Sequence, residues 1–297
     1  MFDTPVRKRL ILLIGIVVLV IIAAGAYLGF HHLSHHTSSV PNGASFAIVA
    51  DRLPLAGASL LKDGKIDALS IPEQGTATLV DVSQDNNFTY YLAGNPALSE
   101  TNVYLLDHAH PEAGLQQLTH SATVKFSLTH GAETGAVAFA TASSTTVKSH
   151  VVVWSPLTNE ETDLGEGSEP TLLPGGFFVV MRRGDSLVAV EVKTGTAHTL
   201  LDIDPTAAFA VDPSTMTIAA YNPVTRSIQT YAIPTTVTAS YLGSTAVSAA
   251  PAAIFFVNGK PVSATAANGL LTISSGGAAV PIPASVPAHY HLVSYHD

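Results

Sequence analysis

The chain has 297 residues, carries a formal net charge of −9 and contains no cysteine. The missing cysteines exclude disulfides, thiolate metal sites, a cysteine nucleophile and a lipid attached to cysteine. Only 12% of the residues are charged, and acids outnumber bases. This balance argues against nucleic-acid binding, because that function requires a basic surface.

A charge-free apolar segment runs from Leu10 to Phe30, directly after a cluster of three basic residues. A helix of about 20 apolar residues spans a bilayer, and basic residues before such a span tend to stay in the cytoplasm. The sequence therefore predicts a cytoplasmic N-terminus over residues 1–9 and a transmembrane signal-anchor helix over residues 10–30. Everything after the anchor is expected outside the cytoplasm, in a single-pass protein of the cell membrane.

The same segment contains Ala24-Gly25-Ala26, a small-x-small sequence of the kind that signal peptidases cleave. Cleavage near Ala26 would produce a secreted protein, which is the alternative to an anchor. The anchor is favoured because the apolar run continues past this site to Phe30. Tyr27 and Phe30 also suit the interfacial position of aromatic residues at the outer end of a span.

Residues 31–44 are polar, contain one proline and lack apolar periodicity, so they are predicted to form a linker. If the anchor helix continued into it, His31 and His35 would share a face and could bind Zn²⁺ or Cu²⁺. His108 and His110 would share one face of a strand. Histidine-rich tracts are only compositional hints, so we expect neither a metal site nor a cofactor. If a metal is bound, these four histidines are the candidate ligands.

From residue 45 on, short apolar runs rich in β-branched and aromatic residues are separated by turn-forming residues, which predicts strands and turns. One apolar strand recurs six times, with starts 43, 47, 41, 40 and 37 residues apart. The occurrences are residues 46–50, 89–93, 136–140, 177–181, 217–221 and 254–257. Such a period is typical of four-stranded propeller blades. The sequence therefore predicts an all-β β-propeller of about six blades over residues 45–297, with a seventh possible within residues 53–75.

The second unit has the clearest repeat frame. The turn at residues 82–86 is followed by the strand at 103–107, which ends in aspartate, and by a last strand around 117–120. This frame resembles TolB-type and WD-like propeller repeats, although the Trp-Asp dipeptide of true WD repeats is absent. The resemblance covers most of residues 45–297 and implies a β-propeller fold.

The two ends of the domain are predicted to meet. The first unit lacks a clear innermost strand before residue 46, and residues 291–297 resemble residues 79–85, the inner strand of the second unit. We therefore expect the C-terminal strand to complete the first blade, which would hide the edges that an open sheet exposes. Two β-sandwich domains are the alternative, because they produce similar strand spacings.

The candidates for catalysis are few. Asp81, Asp204 and Asp212 are the only acids near predicted inner strands, and they do not recur as a ring. A hydrolase or lyase with a site in the central channel would need acids or histidines to converge there. The stretch Gly184-Asp185-Ser186-Leu187 spells an esterase signature but lies mid-chain in a predicted hairpin, so we interpret it as a turn.

We therefore expect a non-enzymatic, membrane-tethered binding or scaffold module for an envelope protein, peptide or glycan, with no nucleic-acid partner. This expectation rests on the fold class and on the missing catalytic cluster. The candidate contact loops are residues 51–63, 95–101 and 142–149. Two alternatives stay open: a channel hydrolase or lyase, and a structural subunit of an envelope complex.

Overall fold

The computed structural model describes residues 45–50, 58–62, 65–68, 77–95, 100–142, 148–234, 238–267, 270–273, 280–281 and 290–295. These residues belong to one compact unit, residues 40–297. The predicted cytoplasmic segment, anchor and linker lie outside them, as do most of the three candidate contact loops. Across the described ranges, no helix has both the length and the apolar character that a membrane crossing requires.

The described residues form six antiparallel sheets of four strands each. Sheet 1 contains β1 (Ser45–Ala50), β2 (Ala58–Lys62), β3 (Lys65–Ala68) and β24 (Tyr290–Tyr295). Sheet 2 contains β4 (Thr78–Gln84), β5 (Phe88–Gly94), β6 (Thr101–Asp107) and β7 (Gln116–Gln117). Sheet 3 contains β8 (Val124–His130), β9 (Val137–Ala142), β10 (His150–Ser155) and β11 (Glu160–Glu166).

The other three sheets follow the same chain order. Sheet 4 contains β12 (Ser168–Leu172), β13 (Phe178–Arg183), β14 (Ser186–Glu191) and β15 (Ala197–Asp202). Sheet 5 contains β16 (Phe209–Asp212), β17 (Thr217–Asn222), β18 (Ser227–Ala232) and β19 (Ser240–Ala246). Sheet 6 contains β20 (Ala253–Val257), β21 (Lys260–Ala267), β22 (Leu270–Ile273) and β23 (Val280–Pro281).

The middle strands are buried on both faces, which explains why they are continuous apolar runs rather than alternating ones. Four consecutive residues in the centre of β13, and four in β14, are buried. The core lies between successive sheets, where apolar side chains of one sheet pack on those of the next. Residues of neighbouring sheets that belong to the same core cluster include Leu92 and Phe139, Val153 and Met181, Leu187 and Ile218, and Ile228 and Ile254.

The predicted meeting of the two ends is confirmed. β24 pairs with β1 in an antiparallel ladder that includes Ala47 opposite Val293. The C-terminal strand is therefore the first strand of sheet 1, the position that β4 holds in sheet 2. The strands described within residues 53–75, β2 and β3, complete the same sheet instead of forming a seventh. Six separate four-stranded sheets also disagree with two β-sandwiches, in which sheets face one another in pairs.

The predicted position of the last repeat was wrong by one strand. Residues 254–257 were aligned with the second strand of the other units, but β20 is the first strand of sheet 6. The second strand is β21, which the repeat pattern missed. Asn258 and Gly259 join the two, with φ of 51° and 71°. An Asn-Gly pair between apolar runs is a strong hairpin signal, and it would have corrected the alignment.

Inner cavity and its serine–histidine–aspartate cluster

The first strands of five sheets line a common cavity of about 350 Å³, called here the inner cavity. Its walls come from β4, β8, β12, β16 and β20 and from Pro213, which directly follows β16. Polar side chains of the wall include Ser83, Gln84, Thr129, His130, Glu169, Thr171 and Asp212. The wall therefore combines the end of a strand, as in β4, with the middle of others, as in β12 and β20.

Irregular backbone in three first strands shapes this wall. The pairing register shifts in β4, β8 and β12. Ser127 in β8 and Glu169 in β12 both have a φ of 54°, which is uncommon for residues other than glycine. β-Bulges redirect side chains and are frequent near functional sites, and the shifts in β8 and β12 lie at residues of the cavity wall.

Ser83, His130 and Asp85 form a hydrogen-bonded cluster beside the cavity. The Oγ atom of Ser83 lies 2.8 Å from Nδ1 of His130. The Nε2 atom of His130 lies 3.1 Å from Oδ2 of Asp85. Oδ1 of Asp85 accepts hydrogen bonds from the backbone N–H groups of Asn87 and Phe88, at 2.7 and 2.8 Å. The turn after β4 thus holds the carboxylate, and the carboxylate orients the imidazole.

Burial favours the neutral form of the His130 imidazole. Its pKa is lowered from the usual 6.5 because burial disfavours the charged form, and the nearby Asp85 opposes that shift only in part. The ring of Tyr90 stacks on that of His130, with 5.1 Å between centroids. Burial, with a smaller effect of Asp85, raises the pKa of Tyr90 to about 12. When Nε2–H donates to Asp85, Nδ1 is free to accept the Ser83 hydroxyl proton.

Sequence reasoning missed this cluster. The repeat pattern places Ser83 and Asp85 only in a turn and does not distinguish His130 from the other histidines. Alignment of β4 with β8 by their C-terminal ends places His130 at the position of Gln84. That alignment is the one signal that would have brought His130 to the same strand end as Ser83 and Asp85.

The three predicted acids do not form one cluster. Asp81 is fully buried, and its carboxylate accepts from the N–H groups of Val82 and Leu128 at 2.6 and 2.5 Å, which ties β4 to β8. Asp212 lines the inner cavity, but its carboxylate caps the following turn through Ser214 and Thr215. Asp81 therefore links two sheets, whereas Asp212 stabilises a local turn.

Asp204, the third acid, lies in the connection between sheets 4 and 5. Its Oδ1 accepts from the N–H and hydroxyl groups of Thr206 at 2.8 and 2.6 Å. These hydrogen bonds are the main reason why its pKa is lowered. Asp204 is not among the residues that line the inner cavity.

The charged side chains near the cavity are carboxylates, apart from Arg182, which forms an ion pair with Glu169. Glu169 accepts from Nε of Arg182 at 3.0 Å. Arg182 also donates to the backbone carbonyls of Asp204 and Ala207, at 3.1 and 2.6 Å, and its guanidinium lies 4.8 Å from the ring centroid of Phe209. Within the described residues, the cavity wall includes no lysine or arginine. The cavity is therefore suited to neutral or positively charged groups.

The described histidine candidates point to separate partners. Nε2 of His108 lies 2.8 Å from Oγ1 of Thr89, whereas Nδ1 of His110 lies 3.0 Å from Oδ2 of Asp107. That hydrogen bond is the main reason why the pKa of Asp107 is lowered. No group of three or more His, Asp or Glu side chains able to hold a metal occurs in the described part of the chain. His31 and His35 lie outside it.

The interpretation of the esterase-like signature as a turn is confirmed. Gly184, with a φ of 61°, and Asp185 join β13 to β14. Ser186 begins β14, and its hydroxyl donates to the carboxylate of Asp202 at 3.0 Å. This serine therefore contacts an acid of the outer strand β15 and is not part of the inner cavity.

Comparison with known protein families finds no match, and a search among curated proteins finds no relative. Solved structures do show similarity. The crystal structure of TolB from Acinetobacter baumannii matches with a TM-score of 0.51 and 16% identity, over 80% of this chain and 62% of that one. A crystal structure of a nidogen/laminin complex matches with a TM-score of 0.45 and 13% identity, over 65% of this chain and 79% of that one. The chain thus spans less than two thirds of the TolB structure and has a propeller-like β fold similar to it.

Proposed function

We propose that this protein is a membrane-tethered, extracytoplasmic binding module that holds a neutral or basic segment of an envelope protein or peptide in the inner cavity. The observation that carries the proposal is the cavity itself, where the first strands of five sheets surround a volume of about 350 Å³. That volume lies within the range of ligand sites, about 300–1,000 Å³. It accommodates a few side chains, which suits recognition of a short segment.

The electrostatics of the cavity select the partner. Acids in or beside the wall are Asp212, Glu169 and Asp85, and Glu169 alone among them is paired with an arginine. Outside Asp3 and the N-terminal basic cluster, the chain has 21 acids and 10 bases, a net charge of −11. Such a field steers cationic segments toward the protein and repels acidic ones.

A peptide-selection experiment tests this function. Full-length protein in detergent is used to select from a random peptide library, and the selected peptides should be depleted in Asp and Glu. Ala210→Trp places a large side chain in the cavity wall and should weaken their binding about tenfold or more. Leu157→Trp, at a residue that is 92% exposed and outside the wall, is the matched control. Equal binding by the wild type and both variants would overturn the proposal.

The tether is proposed from the apolar segment between Leu10 and Phe30. N-terminal sequencing of the mature protein tests it together with membrane fractionation. An intact N-terminus in the membrane fraction supports the anchor. A mature N-terminus at Tyr27 would replace the anchor with a secreted protein and would leave the cavity function unaffected.

A second candidate function, acyl hydrolysis, is favoured by the Ser83–His130–Asp85 cluster. In this reaction Oγ of Ser83 attacks the carbonyl carbon of an ester while Nδ1 of His130 takes the hydroxyl proton. The proton then passes to the departing alcohol, and water hydrolyses the acyl-serine to release the acid and restore Ser83. This function ranks second because the reaction also needs donors for the oxyanion, and the N–H groups of Asn87 and Phe88 beside the cluster already bind Asp85.

A serine-directed probe distinguishes the two functions. A fluorophosphonate should label the protein at Ser83, and Ser83→Ala should abolish both labelling and turnover of p-nitrophenyl acetate. Thr89→Ala is the matched control, because it removes a hydroxyl–imidazole contact of the same 2.8 Å, that to His108, outside the cluster. Absence of label at Ser83 would rule out hydrolysis and leave binding as the function. The same conclusion would follow if Thr89→Ala lost as much labelling and turnover as Ser83→Ala.

A further inference from the structure

The last strand of each sheet has an edge that pairs with no other strand among the described residues. Such edges template pairing with other chains, so proteins shorten or charge them. Five of the six outer strands follow this rule. β7 and β23 have two residues each, and β3, β11 and β15 carry charged side chains.

β19 is the exception. It has seven residues, Ser240–Ala246, with neither a charge nor a proline. Six of its seven residues are exposed. β11 has the same length, but Glu160, Glu161, Asp163 and Glu166 protect it. β19 is thus the one outer strand in the described chain that has more than two residues and no charged side chain.

Two consecutive apolar residues of β19 lie at the surface, at a bulge in the strand. Thr230 pairs with Gly243 and Tyr231 with Tyr241, so Leu242 is the extra residue. Tyr241 is 58% exposed and Leu242 is 60% exposed. The ring of Tyr241 packs edge-on against Tyr231 at 5.7 Å, which holds it in place. The strand therefore offers an ordered apolar patch beside four regularly paired residues, 243–246.

We propose that β19 is a self-association edge, which pairs antiparallel with β19 of a second copy of this chain. Antiparallel pairing of identical strands is self-complementary about a two-fold axis, the commonest symmetry of homo-oligomers. The chain is acidic, so pairing of two copies through β11 would bring like charges together. β19 carries no charge and avoids this repulsion, and each copy brings the exposed apolar side chains of Tyr241 and Leu242 to the paired strand.

The absence of cysteine from the chain permits a direct test. Full-length protein in detergent is prepared as Ser244→Cys and Thr245→Cys, so that each variant has a single thiol on β19. Thr199→Cys is the matched control, an exposed residue of the outer strand β15. Upon mild oxidation, at least one β19 variant should form disulfide-linked dimers about tenfold faster than the control. When Leu242→Lys is added to a β19 cysteine variant, its dimers should form no faster than those of the control.

Each outcome decides the proposal. The proposal is overturned if both β19 cysteine variants form dimers at the rate of the control. It is also overturned if Leu242→Lys does not slow dimer formation. If β19 instead receives a strand from another protein, the purified chain stays monomeric and the proposal fails in the same way. Thermal unfolding of each variant at the wild-type temperature shows that the substitutions have not altered the fold.

Discussion

Ser83 Oγ and His130 Nδ1 lie 2.8 Å apart across 47 residues of sequence, and their hydrogen bond joins sheet 2 to sheet 3. Asp85 completes the contact from the turn after β4. The cluster therefore stabilises the contact between two sheets at the same place where it borders the inner cavity. The structural contribution can be measured whether or not the serine reacts.

His130→Gln should lower the free energy of unfolding and should make that free energy less dependent on pH in the acidic range. Loss of the buried hydrogen bonds should cost about 1–3 kcal/mol. Because the pKa of His130 is lowered in the folded state, the unfolded chain binds this proton more readily. The free energy of unfolding should thus fall as the pH drops below 6.5 and level off below the folded-state pKa.

Urea unfolding between pH 4 and pH 8 checks this expectation. The variant should show a smaller fall than the wild type in the range below pH 6.5. His108→Gln, at an exposed histidine that also contacts a threonine hydroxyl, should behave as the wild type. If the unfolding free energies of the wild type and His130→Gln depended on pH in the same way, the lowered pKa of His130 in its buried site would be contradicted.

Lys125 predicts a second pH dependence, of the same sign and in the basic range. Its side chain is fully buried and donates to the carbonyls of Thr101 and Ser121, at 2.6 and 2.9 Å. Burial lowers the pKa of Lys125 to about 8, although Glu161 and Glu100 act in the opposite direction. The unfolded chain binds more protons between pH 8 and 10, so the free energy of unfolding should rise with pH there.

Lys125→Met is the comparison variant for this measurement. It removes the titrating group and should flatten the rise in unfolding free energy between pH 8 and 10. The absence of cysteine keeps thiol titration out of this window. A rise of the same size in both proteins would show that Lys125 is not its source.

Removal of the C-terminal strand should unfold the domain. A chain that ends at residue 289 lacks β24 and leaves one side of β1 unpaired. The decrease in the free energy of unfolding should be comparable to the total for a whole domain, about 5–15 kcal/mol. Circular dichroism during heating and limited proteolysis measure it. A chain that ends at residue 295 keeps β24 and should unfold like the full-length protein; equal stability of the chain ending at 289 would contradict the role of the closing strand.

Gly195 and Gly259 make a matched pair for a test of local packing. Both have a φ of 71°, but a Cβ at Gly195 would meet nothing within 4 Å, whereas one at Gly259 would lie 3.1 Å from Cγ2 of Thr215. Gly195→Ala should cost about 1–2 kcal/mol from the left-handed backbone alone. Gly259→Ala should cost more, because the turn after β20 is crowded by the turn after β16. Equal costs in urea unfolding would argue against that contact.

The sequence by itself determined the strands and much of their arrangement. Short apolar runs, turn residues and a period near 40 residues predicted repeated four-stranded units, and the likeness of residues 291–297 to residues 79–85 predicted the pairing of β24 with β1. These features are local, because strand propensity and turn chemistry act over a few residues. The last unit was misaligned where two apolar strands of similar composition, β20 and β21, follow one another.

The tertiary structure alone decided which side chains meet. Ser83 and His130 come from different sheets, and their contact depends on how sheet 2 packs on sheet 3. The inner cavity likewise exists only where the first strands of five sheets converge. The exposure of Tyr241 and Leu242 depends on the position of β19 at the outer edge of sheet 5. Strand patterns record which residues favour burial, but the meeting of strand ends depends on how whole sheets pack, and that packing is a property of the assembled domain.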